Sequence, residues 1–280
     1  MAIMLNYTTA NSRFKERIIN MAIVFFDFDG TLVDEKTKIY RPTKTTIQSI
    51  EQLQKNGHYA VLATGRAKCY VPETGIKWDG IIASNGAYAE INGRVVYNNE
   101  VNEELVKELI NLSGKLGYFY VLENQDICYT NGFRNDDFMK VLEFFDINRQ
   151  NFRPVEEAER LRANKMFLTC DGEEHFRTLC REFQGKFILG MHRGGKSCDC
   201  DPVGNNKGVG IANIAAKVNI DIRDTYAFGD SVNDYDMLKN AGHGIAMGEH
   251  RVELEYVAEY ITDTVKNEGV TKGLKKYELI

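Results

Sequence analysis

Residues Ala22-Ile23-Val24-Phe25-Phe26 form an unbroken apolar run that stops abruptly at Asp27-Phe28-Asp29-Gly30-Thr31. Apolar residues in succession, without alternation, read as a strand buried on both faces, which requires a sheet covered by helices on either side. Tyr59 to Ala63 is a second such run, and Ile81-Ile82-Ala83 a shorter third. Between the first two, Thr45 to Asn56 carries Ile47, Ile50 and Leu53 at helical spacing, and Gly57 stops the helix. Strand, helix and strand joined by short connections predict a parallel α/β sheet.

The pattern changes after Asn85. Strand-like pieces (Gly93 to Tyr97, Phe119 to Leu122, Asp126 to Thr130) alternate with helical ones (Glu103 to Lys115, Asp136 to Phe145, Glu173 to Phe183). Asn92-Gly93 and Asn131-Gly132 read as hairpin punctuation. From Lys207 the first pattern returns, with helices over Val209 to Val218, Asn233 to Lys239 and Val252 to Ala258. Short strands are expected at Thr225 to Phe228 and His243 to Met247. The expected fold is therefore a Rossmann-like parallel-sheet core, residues 21–84 and 191–280, interrupted by an α+β unit over 85–190. Residues 1–20 lack an apolar leader segment and differ in character from the rest of the chain, so they read as an upstream extension, with Met21 as the expected native start.

Composition narrows the function. A net charge of −5 and no basic run argue against a nucleic-acid or membrane-surface binder. No stretch reaches the roughly 18 consecutive apolar residues of a membrane span. The cysteines Cys69, Cys128, Cys170, Cys180, Cys198 and Cys200 show no disulfide framework, which suits reduced thiols in a cytoplasm. Cys198-Asp199-Cys200 near His192 lacks the spacing and the second pair of a zinc site, and reads as a strand with alternating side chains.

Four strand or helix ends carry polar residues that folding alone does not require. Asp27 and Asp29 at i, i+2 spacing place their side chains on one side, roughly 6–7 Å apart. That separation suits a phosphoryl group held between a nucleophile and a proton donor. A calcium loop is a poor alternative, because its sixth and twelfth positions would be Leu32 and Lys38; an exposed strand end remains an alternative for this motif alone. Thr64-Gly65-Arg66 ends the second strand with a hydroxyl and an amide that can donate to phosphate oxygens, although Thr-Gly is common in turns. Lys207 follows the candidate caps Asn205 and Asn206, and a cation in a first helical turn is disfavoured unless an anion is near. Gly229-Asp230-Ser231-Val232-Asn233-Asp234 sets further acids and an amide at a strand-to-helix junction. Asp27, Asp29, Asp230 and Asp234 against Lys207 would repel a phosphate dianion. One Mg²⁺, a hard ion suited to carboxylate oxygens, brings the pocket near neutrality.

Taken in order, these four motifs resemble the signature of the haloacid dehalogenase superfamily. The insertion between the second and third motifs resembles a C2-type (type IIB) cap, and Ser84-Asn85-Gly86-Ala87 is similar to the lead into the cap in Cof-type sugar phosphatases. The resemblance covers the chain from Met21 onward and implies a two-step mechanism. Asp27 takes the phosphoryl group, and Asp29 protonates the leaving alkoxide and then activates water. Thr64, Gly65, Lys207 and Asn233 bind phosphoryl oxygens. Mg²⁺ is held by Asp27, the backbone carbonyl of Asp29 and Asp230, with Asp234 in support.

The expected activity is a Mg²⁺-dependent phosphatase of small phosphate esters such as sugar phosphates. A phosphomannomutase-like phosphomutase is the alternative, and a non-catalytic binding protein a more distant one. The cap offers no substrate code, and Arg66, His192 and Arg193 are expected to pack or face the surface rather than reach substrate.

Overall fold

The computed structural model describes residues 21–280 apart from 145, 146 and 193; the expectations for residues 1–20, Phe145 and Arg193 fall outside these. The first apolar run is β1 (Ile23–Phe26), buried throughout. It is followed by α1 (Lys44–Lys55), β2 (Tyr59–Ala63) and β3 (Gly80–Ala83). Next come β4 (Tyr88–Ile91), β5 (Arg94–Asn98), α2 (Glu103–Leu116), β6 (Tyr120–Glu123), β7 (Cys128–Thr130) and α3 (Asp136–Phe144). The chain continues through β8 (Phe152–Pro154), β9 (Lys165–Thr169), α4 (Gly172–Glu182), β10 (Phe187–Met191) and β11 (Ser197–Pro202). It closes with α5 (Lys207–Val218), β12 (Thr225–Gly229), α6 (Tyr235–Asn240), β13 (His243–Ala246), β14 (Tyr260–Ile261) and α7 (Gly269–Lys276).

The first sheet runs β14-β13-β12-β1-β2-β3-β4-β5, parallel from β14 to β3 and antiparallel at β4 and β5. Successive side chains of β1 enter opposite layers. Phe26 joins Leu62, Phe228, Ile50 of α1 and Leu274 of α7, whereas Phe25 joins Val61, Ala227, Ile211 of α5 and Met237 of α6. Burial on both faces is why β1 carries no polar residue until it ends.

The second sheet has the order β10-β11-β9-β6-β7-β8, antiparallel except for β7 and β8. One face packs Leu122, Met166 and Leu168 against Val106 and Leu109 of α2 and Leu179 of α4. The other face carries Val121 and Phe167, which pack with Phe138, Phe152 and Tyr70. The fold class is the expected one, a Rossmann-like α/β core with an inserted α+β unit.

Strand pairing divides the segments next to residues 85 and 190 between the two sheets. The hairpin β4–β5 hydrogen-bonds to β3 and belongs to the first sheet, whereas β10 and β11 pair with β9 and belong to the second. Asn92-Gly93 is the tight turn between β4 and β5, with φ of 52° and 69°. Asn131-Gly132 does not join a hairpin but leads from β7 into α3, held by the Gly132 N–H donating to the Thr130 hydroxyl at 2.9 Å. The helix expected over Val252 to Ala258 is a shorter 3₁₀ segment, Val252–Tyr256.

Candidate active site

Because β2, β1 and β12 are parallel neighbours, their carboxyl ends deliver Thr64, Asp27 and Asp230 to one edge of the sheet, where open α/β sheets bind ligands. The Asp27 N–H donates to the Phe228 carbonyl at 3.0 Å, which extends the strand ladder by one step and fixes this carboxylate. Lys207 arrives on the first turn of α5, whose cap is Asn206; the Asn206 Oδ1 accepts the Val209 N–H at 3.0 Å. Asn205 instead accepts from the Tyr97 hydroxyl and the Asn99 amide of the β4–β5 side.

Lys207 is fully buried, and its Nζ donates to Asp27 Oδ1 at 2.5 Å and to Asp234 Oδ1 at 2.6 Å. Asp234 Oδ2 accepts the N–H groups of Asp230 and Ser231, each at 3.0 Å, so both oxygens of Asp234 are engaged. Carboxylate oxygens of Asp27, Asp230 and Asp234 lie within 4.8 Å of one another. Burial, and then the Asp234 charge, push Asp27 up to about 8 against the pull of Lys207. Burial, with Asp27 and Asp234, pushes Asp230 up to about 9. Burial alone would lower Lys207, but Asp234 and Asp27 raise it above the usual lysine range.

These shifts describe a site short of positive charge. Three carboxylates face one ammonium, and Asp230 Oδ1 is buried without a hydrogen-bond partner. A divalent cation with a preference for oxygen fits that deficit. Asp230 Oδ1 and an oxygen of Asp27 are available to it, whereas Asp234, with both oxygens engaged, is suited to support rather than ligation.

Gly30 makes room for this arrangement. Its φ is +91°, and an added Cβ would lie 2.2 Å from Asp230 Oδ2. Gly30→Ala is therefore expected to displace Asp230, and a divalent cation held there would bind about tenfold or more weakly, on the scale of other disturbed ligand shells. Calorimetric titration of the folded variant with Mg²⁺ measures this, and wild-type affinity would remove Asp230 from the ligand set.

Asp29 stands apart from the carboxylate cluster. Its side chain is 51% exposed, and both oxygens are gripped by Arg66, Oδ1 at 2.9 Å from Nη2 and Oδ2 at 3.1 Å from Nε. Arg66 and His192, expected at the surface or in packing, pack against Asp29 and Phe167 and line a cavity of about 410 Å³ between the two sheets, together with Asp27, Asp29, Gly65, Asp230 and Asn233. Thr64 and Lys207 are buried behind that wall rather than lining it. The Thr64 hydroxyl accepts the Arg66 N–H at 3.1 Å. Asn233 Nδ2 donates to Asn85 Oδ1 at 3.1 Å, and Asn85 Nδ2 reaches both oxygens of Asp201 on β11.

The inserted unit supplies residues that sequence reasoning did not select. Lys165, at the start of β9, donates to the Gly65 carbonyl at 2.9 Å and lies 3.0 Å from Asp199. Glu123, Lys165, Phe167 and Asp199 line the cavity opposite Asp27. One signal was present for Asp199. In β11 the alternation that buries Cys198 and Cys200 in the apolar layer turns Asp199 to the other face. Lys165 and Glu123 have no such local signature.

A sequence profile for haloacid dehalogenase-like hydrolases matches residues 24–274. The chain belongs to the haloacid dehalogenase-like hydrolases. Among relatives of this hydrolase, YkrA of Bacillus subtilis (strain 168), provisionally named a phosphatase, is 29% identical over 265 residues, covering 92% of this chain and 98% of its own. The 5-amino-6-(5-phospho-D-ribitylamino)uracil phosphatase YcsE of the same organism is 25% identical, covering 93% and 97%. The solved structure of the subclass IIB sugar phosphatase BT4131 superposes with a TM-score of 0.79 at 27% identity, covering 93% of this chain and 100% of that one. Family and relatives together make this haloacid dehalogenase-like hydrolase an enzyme of the phosphoric monoester hydrolase class.

Proposed function

We propose that this hydrolase is a Mg²⁺-dependent phosphatase of small phosphorylated metabolites, with Asp27 as the phosphoryl acceptor. The observation that supports it most is the buried Lys207, which holds Oδ1 of Asp27 next to an Asp230 whose own Oδ1 lacks a partner. Lys207 orients Asp27 and leaves Oδ2 to attack phosphorus as the ester P–O bond breaks. Asp29, at the cavity wall, gives a proton to the leaving oxygen. It then takes one from the water that attacks the Asp27 phosphoryl group, which releases inorganic phosphate and restores the carboxylate. Arg66 holds Asp29 before substrate enters and exchanges that grip during the cycle. Mg²⁺, held by Asp27, Asp230 and the Asp29 carbonyl with Asp234 in support, supplies the positive charge that a phosphoryl dianion needs. Gly65 and Asn233 line the phosphoryl pocket, and Thr64 and Lys207 support it from behind.

Residues 99–202, from the end of β5 to the end of β11, act in this reading as a cap over the core. The six cysteines are free thiols, which suits a cytoplasmic enzyme. Among the described residues no helix is long and apolar enough to cross a membrane.

The test is phosphate release from a panel of phosphorylated metabolites, with Mg²⁺ or with chelator. Chelation should lower release at least about a hundredfold, the effect of removing several kcal/mol of charge stabilisation. Equal rates with chelator would remove the metal, and silence across the whole panel would remove the phosphatase.

A further inference from the structure

Ser84, Asn85 and Gly86 link β3 to β4, and the proposed chemistry leaves them without a task. All three take left-handed backbone, with φ of 49°, 50° and 92°, and two of them are not glycine. Asparagine tolerates that region better than serine does, and such a run persists only where its surroundings hold it. Here the Ser84 N–H donates to the Arg66 carbonyl at 2.9 Å and the Asn85 N–H to the Thr64 carbonyl at 3.2 Å. Gly86 lies so close to the Asn206 carbonyl that an added Cβ would collide with it. The turn is thereby clamped between the loop that follows β2 and the residue that caps α5, with Asn85 buried.

The contacts of the Asn85 side chain fix its own orientation and then that of a second amide. Asn85 Nδ2 donates to Asp201 Oδ1 at 3.1 Å and to Oδ2 at 3.0 Å. Burial, resisted by Lys165, pushes the Asp201 carboxyl up to about 6, so at neutral pH it is ionised and can only accept. Turning the Asn85 amide over would set its carbonyl against two carboxylate oxygens. Asn85 therefore presents Oδ1 on its other side, where Asn233 Nδ2 donates to it at 3.1 Å. Asn233 is exposed at the cavity wall, where an asparagine without such a neighbour could show either end of its amide. Its Nδ2 carries two hydrogens; Asn85 takes one, and the second is left for a ligand oxygen.

We propose that Asn85 is a positioning residue for phosphoryl binding: anchored by Asp201, it holds the Asn233 amide so that an N–H, and not the carbonyl, meets the phosphoryl oxygens. The inference rests on the phosphatase reading and adds to it a source of donor polarity outside the four motifs. Polarity passes along the chain because each partner has one option. The carboxylate accepts, so the amide beyond it donates there and accepts at its far end. A carbonyl turned toward a phosphoryl dianion would repel it in a cavity that screens charge poorly.

The test is calorimetric binding of inorganic phosphate in Mg²⁺ buffer, with kcat/KM on phenyl phosphate alongside. Asp201→Asn lets the side chain at 201 offer either end of an amide, and Asn85→Asp sets two carboxylates face to face. Each is expected to weaken phosphate binding by about tenfold, the scale of one hydrogen bond to a charged group. The double variant exchanges donor and acceptor across the first link yet keeps an acceptor facing Asn233. It should bind phosphate within about threefold of wild type, since the two substitutions act on one contact. In an Asn233→Ala background Asp201→Asn should have no further effect, and a further loss there would overturn the positioning role in favour of a merely structural one. Wild-type affinity in both single variants, or a double variant no better than Asp201→Asn, overturns the relay and leaves the phosphatase standing. A wild-type enzyme that neither binds phosphate nor hydrolyses phenyl phosphate overturns both. If Asn85→Asp does not fold, Asp201→Asn and the double variant decide, since neither sets a carboxylate at 85 against one at 201.

Discussion

Asp27→Asn is expected to abolish phosphate release, lowering turnover by at least about 10⁴-fold, the scale on which loss of a nucleophile acts in other covalent mechanisms. The amide keeps the shape of the carboxylate, and its carbonyl can still accept from Lys207, so circular dichroism should report an intact fold. Removing one charge from a cluster that burial and Asp234 already push toward neutrality does not by itself unfold the protein. Single-turnover phosphate release with saturating substrate and Mg²⁺ gives the rate. Activity within about tenfold of wild type would mean that water attacks phosphorus directly, and the acceptor role of Asp27 would be lost.

Lys207→Met acts on stability as well as rate. The ammonium is fully buried between Asp27 and Asp234, and without it two buried carboxylates stand close together with no cation between them. Breaking a buried ion pair from one side costs about 3–5 kcal/mol, far more than the pair itself is worth against apolar replacements. The unfolding free energy of the metal-free protein, from urea titration, should fall by that amount, with a lower midpoint. The double variant Lys207→Met with Asp234→Asn should recover part of the stability, because one of the stranded charges is gone, but not the activity. An unchanged midpoint in the single variant would show that the two carboxylates do not depend on Lys207.

The parallel core was legible because its strands are buried on both faces: Phe25 and Phe26 enter opposite layers, and that geometry leaves a continuous apolar run in the sequence. The charged ends of those strands stood out for the same reason. Which sheet each hairpin joins was not legible. A hairpin such as β4–β5 has the same local pattern whether it extends the first sheet or starts the second, and only the long-range pairing of β3 with β4 decides. The same holds for β10 and β11.

At the site, Asp27, Lys207, Asp230 and Asp234 converge, and Gly65 and Asn233 line the cavity beside Asp27. Glu123, Lys165 and Asp201 escaped notice because a buried charge network joins residues distant in the chain and leaves no spacing to read. The partner of Arg66 was not legible, since whether an arginine beside a turn faces solvent or a neighbouring aspartate depends on where Asp29 lies.

The order of strands has a consequence for synthesis. β1 lies between β2, its neighbour in sequence, and β12, so that Ile23 pairs with both Tyr59 and Thr225. While the ribosome is still making the insertion, one flank of the most apolar strand has no partner, and its exposed edge is open to aggregation. Contacts of such long sequence separation also form slowly. Asp27 emerges early, but Lys207 and Asp230 come from the last third of the chain, so a nascent protein carries Asp27 without the charged groups that surround it in the fold. A chain cut short of Lys207 is therefore expected to be inactive and prone to aggregate.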